Sequence, residues 1–83
     1  MRTVDLMTTV EAIKQVTERL EGRPEGCALP AAMVQLRNGG SFLGILQGQD
    51  FEYGPDGRFG RAIFTDLNGN ILRHIPFDQL MAF

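Results

Sequence analysis

The first quarter of the chain has a helical period. Val10, Ile13, Val16 and Leu20 recur at steps of three and four, with Met7 one turn earlier, and predict an apolar stripe on a helix over about 8–22. Thr8 followed by Glu11 is a capping-box spacing, and Gly22 then Pro24 stop the helix, Gly22 by accepting a left-handed C′ conformation. Residues 23–30 read as a linker, carrying Pro24, Gly26 and Pro30. After Pro30 the period shortens to two. Ala31–Leu36 predicts a first strand, ended by Asn38-Gly39-Gly40, and Ser41–Gln47 a second. In that second strand Phe42, Gly44 and Leu46 take one face and Leu43 and Ile45 the other, so both faces are expected to be covered. Gln49–Gly60 is polar, holds Gly54-Pro55-Asp56-Gly57, and reads as a long loop. Arg61–Asp66, Ile71–Ile75 and Leu80–Phe83 predict three more strands, with Asn68-Gly69 as the hairpin turn and Pro76 as an interruption. The expected fold is mainly β: an N-terminal α-helix, then a five-stranded, strongly bent antiparallel small barrel over 31–83, all in one domain.

Composition narrows the function classes. A chain of 83 residues holds a small core, and with one Cys it has no disulfide to support that core, so self-association is expected. Ten acidic residues against eight basic ones exclude a broad basic face for duplex DNA or an anionic membrane, though not a few stacked bases. No apolar run approaches the roughly 18 residues of a membrane span, and Met1–Asp5 lacks the apolar core of a signal peptide, so the expected compartment is the cytoplasm. His74 reads as a surface or interface histidine, and Cys27 has no nearby base. Asp50, Glu52 and Asp56 read as solvated loop acids without a metal-ligand spacing. No phosphate loop, dinucleotide fingerprint or zinc spacing is present; the chain reads as a non-enzyme without cofactor or metal.

The stretch VQLRNGGSFLGILQGQD, Val34 to Asp50, resembles the first motif of the Sm and Sm-like (LSm) proteins. Val34, Leu36, Gly39, Phe42, Gly44, Leu46 and Asp50 hold that motif's places in register without a gap. The family's second motif is matched in length and apolar spacing by the tail IPFDQLMAF, through Ile75, Leu80 and Phe83. Pro76 and Phe77 stand there where the family has Arg and Gly. After Asp50, Tyr53 offers a stacking ring and Gly54 replaces the usual Asn, and the loop is longer than the family's.

The resemblance implies an Sm-like, SH3-like barrel whose neighbouring subunits pair edge strands into a homo-oligomeric ring of roughly five to seven copies. It also implies single-stranded RNA held near Arg37, Asn38, Asp50, Tyr53, Pro76 and Phe77. Leu43, Ile45, Leu80, Met81 and Phe83 are the expected contacts between subunits. The alternative is an oligomeric scaffold or protein-interaction module on the same fold without nucleotide binding.

Overall fold

The computed structural model describes residues 8–54 and 57–83, and the side chains of these except 53, 54 and 57–59. Helix α1 (Thr9–Glu21) is followed by strands β1 (Ala32–Leu36), β2 (Ser41–Gly54), β3 (Gly57–Asp66) and β4 (Ile71–Pro76). A 3-10 turn, η1 (Phe77–Gln79), then leads to β5 (Leu80–Ala82). The strands form one antiparallel sheet in the order β4-β3-β2-β1-β5.

The topology itself shows that the sheet is curled. β4 and β5 are its two edges, yet only η1 separates them along the chain. From Pro76 to Leu80 the backbone reaches at most about 14 Å, whereas the edge strands of a flat five-stranded sheet stand about 19 Å apart. The sheet must bend until its edges approach. It does not close into the predicted barrel, because no rung joins β4 to β5 among the described residues.

The concave face holds the core: Val34, Leu36, Phe42, Leu46, Ala62, Phe64, Ile75, Phe77 and Leu80, covered by Ala12 and Val16 of α1. Thr8 caps the helix, its Oγ1 accepting the Glu11 N–H at 3.1 Å. The helical stripe is rotated from the predicted one. Ala12 and Val16 are fully buried and Ile13 and Leu20 flank them, while Val10 is 75% exposed. Gly22 ends the helix in a right-handed conformation (φ −80°), not the left-handed one expected; the left-handed glycine is Gly26 (φ 78°). The β3–β4 turn is likewise shifted by one residue, with positive φ at Gly69 and Asn70, and Asp66 Oδ1 accepts the Asn68 N–H across it.

Two corrections concern β2. It does not end at Gln47 but runs to Gly54, and β3 starts at Gly57, so most of the predicted polar loop is a long two-stranded arm. The reason is a β-bulge at Gln47: Leu46 pairs with Phe64 and Gly48 with Ile63, leaving Gln47 unpaired. Before the bulge the even positions Phe42, Gly44 and Leu46 face inward. After it the inward position is odd, with Phe51 packed against the core. The alternation therefore breaks at Gln47, and a strict period of two reads the break as a strand end. The second correction concerns cover. Within one chain the convex face is open: Met33, opposite Leu43, is 50% exposed, Leu43 46%, and Leu72 60%, with Ile45 half-buried beside them.

Candidate functional site

Two of the predicted site residues, Asp50 and Pro76, are brought to either side of Arg61 where β4 ends. Asp50 of β2 lies opposite Arg61 of β3, and Arg61 lies opposite Pro76 of β4. The β1–β2 turn reaches the same connection from the other side, because the Arg37 N–H donates to the Gln79 carbonyl at 2.9 Å, pinning Arg37 and Asn38 against η1. Asn38 shapes that turn: its Oδ1 accepts the Gly40 N–H at 2.8 Å, and Gly39 supplies the positive φ of 94°. Both Arg37 and Asn38 are exposed. Tyr53 pairs its backbone with Arg58 in the β2–β3 arm, and its side chain lies outside the described residues.

Arg61, which the strand pattern marks only as the start of a strand, organises the charges. Its Nε and Nη2 donate to the two carboxylate oxygens of Asp50 at 3.1 and 3.3 Å, and Nη2 also donates to Glu52 Oε1 at 2.6 Å. These hydrogen bonds from Arg61 to Asp50, then the charges of Asp50 and Glu52, raise the guanidinium pKa above its ordinary value. His74 of β4 places Nδ1 4.0 Å from Asp50 Oδ2. Asp50 and Glu52 are thus not loop acids but strand residues that, still open to solvent, accept from one cross-strand arginine; Asp56 lies outside the described residues.

Phe77 is not available to a ligand. It is 2% exposed and stacks on Phe51 with ring centroids 5.7 Å apart and planes 25° from parallel. Gly60 makes room for that pair. A Cβ there would stand 2.6 Å from Phe51 and 2.7 Å from Phe77, so the position takes no side chain without displacing a ring. Beside Gly60 a groove of about 390 Å³ opens between the start of α1 and the β4–η1 junction. It continues along α1 past Thr17 and Gln49, where Gln49 Nε2 donates to Thr17 Oγ1 at 3.2 Å.

Among the expected subunit contacts, Leu43 is exposed and Ile45, Met81 and Phe83 are half-buried. Leu80 is fully buried in its own chain's core, so it supports the fold rather than offering a contact. Phe83 sits edge-on to Phe64 at 5.8 Å, under the Arg19 guanidinium at 4.8 Å.

The sequence carried a signal for Arg61. Asp50 and Arg61 lie equally far from the centre of the Gly54-Pro55-Asp56-Gly57 turn, as do Phe51 and Gly60. Extending both strands symmetrically from that turn pairs them. Among the described residues no helix is long and apolar enough to cross a membrane. No family model, curated protein or solved structure matches this chain.

Proposed function

We propose that this chain is an Sm-like subunit that self-assembles through its sheet edges into a closed ring. One observation carries the reading: a curled antiparallel sheet ends on two edge strands, β4 and β5, each paired on one side and with no strand on its outer side among the described residues. Pairing β4 of one copy with β5 of the next is a head-to-tail contact. Such contacts build a ring when the rotation per subunit closes. The exposed Leu72 on β4 and the half-buried Met81 on β5 give those edges apolar flanks. The seven motif places from Val34 to Asp50, the N-terminal helix and the strand count support the same family reading.

For the ligand, single-stranded RNA is the first candidate, and Arg37 and Asn38, exposed on a turn pinned to η1, are the observation in its favour. The second reading, a scaffold without nucleotide contacts, is favoured by Phe77, which is packed in the core, and by Arg61, which is engaged by two carboxylates. An anisotropy titration with short uridine- or adenine-rich RNA at two salt concentrations separates them. An RNA-binding ring gives a shallow salt dependence of roughly one to three released ions. Tyr53→Ala weakens it by about tenfold through a lost stack, and Arg37→Ala acts in the same direction. Absence of binding at tens of micromolar protein leaves the scaffold reading.

A further inference from the structure

We propose that the groove between α1 and the β2–β3 arm is a docking site for a basic peptide segment of a partner protein. It lies on the helix side of the β4–η1 junction, whose other side the Arg37–Asn38 turn reaches through Gln79, and it shares Pro76 with the expected RNA contacts.

The groove has an apolar floor and a negative wall. Ile13 of α1, Pro76 and Gly60 form the floor, over the Phe51–Phe77 stack that Gly60 makes room for. Its volume of about 390 Å³ is of the size that holds a few side chains. The wall carries Glu52, Arg61 and Asp78, with Asp50 behind Arg61. Two lining carboxylates, Glu52 and Asp78, stand against one guanidinium that Asp50 also engages, so the described lining is net negative. Arg61 already donates to Asp50 and Glu52, so it is a poor anchor for an incoming anion. Among the described residues, Asp78 is exposed without a partner and Glu52 engages only Oε1.

Both carboxylates can therefore accept from an ammonium or guanidinium while the stem of that side chain lies on Pro76 and Ile13. The same charges repel a phosphate backbone. Charge complementarity thus selects a Lys- or Arg-bearing peptide with an adjoining apolar residue, and disfavours RNA as the occupant of this groove.

The test is an NMR titration of the full chain with two capped peptides, acetyl-Leu-Lys-Arg-Leu-amide and acetyl-Leu-Glu-Glu-Leu-amide, with hexauridine as a third probe. The basic peptide is expected to shift the amides of Ile13, Gly60 and Asp78 and the acidic one to leave them in place. Asp78→Lys, an exposed substitution that leaves the core and the Arg61 pairs intact, weakens the basic peptide by about fivefold or more, as removal of a complementary charge does. Its fold is checked by an unchanged melting temperature. No shift with the basic peptide, equal shifts with both peptides, an unaltered titration in Asp78→Lys, or hexauridine moving the same amides would each overturn the proposal.

Discussion

Phe77→Ala is expected to lower stability by about 3–5 kcal/mol, the usual cost of emptying a buried Phe site. The ring is 2% exposed, stacked on Phe51 and seated against Gly60, so its truncation removes that stack and a buried volume. A domain of this size has only about 5–15 kcal/mol to lose, and each kcal/mol moves the midpoint by about 4–8 °C. A thermal melt should therefore show a drop of at least about 12 °C. Phe77→Leu, which keeps most of the apolar volume, should fall by clearly less. A melting temperature unchanged in Phe77→Ala would mean that the ring is free at the surface, where it could stack on a base as the family resemblance implies.

Gly44→Val is the second large effect, at about 2 kcal/mol or more, from overpacking and backbone displacement. A Cβ at Gly44 would stand 2.7 Å from Phe42 Cε2 and 3.1 Å from the Thr65 carbonyl oxygen. The Phe42 ring has little freedom to retreat. It packs edge-on against Phe64 at 5.9 Å and lies under the Arg73 guanidinium at 4.3 Å, and Arg73 is itself held by Asp66 at 3.4 Å. Gly48, beyond the bulge on the same strand, has open space within 4 Å of where a Cβ would stand. Gly48→Ala is the matching control, with a change within about 0.5 kcal/mol in the same urea titration. Equal stability of the two variants would remove the close approach at Gly44.

Regular periods and local caps made much of the fold legible in the sequence. The Thr8 cap, the end of α1 at Gly22, the Asn38-Gly39-Gly40 turn and five strands can all be read from neighbouring residues. Features set by tertiary pairing escape such a reading. The bulge at Gln47 reverses the inward parity of β2, and this hides a strand in what looks like a polar loop. The buried face of α1 differs from the periodic one: Val10 fits the helical period but stays exposed, while Ala12 and Val16 are fully buried.

The candidate site divides the same way. Arg37 and Asn38 are legible as an exposed turn. The sequence does not say that Phe77 turns inward onto Phe51, or that Asp50 is committed to Arg61. Both depend on which residues the β2–β3 arm and η1 bring opposite one another. The open convex face is also out of reach, because alternation shows that Leu43 and Ile45 point away from the core but not whether anything lies over them.

The mass of the intact assembly in solution tests edge pairing most directly. Light scattering on the purified chain at micromolar concentration should give one closed species of roughly five to seven subunits that does not grow with concentration. Met33, Leu43 and Leu72 should be less accessible in it than in a single chain. A strict monomer across that range, or a mass that rises continuously with concentration, would contradict the ring.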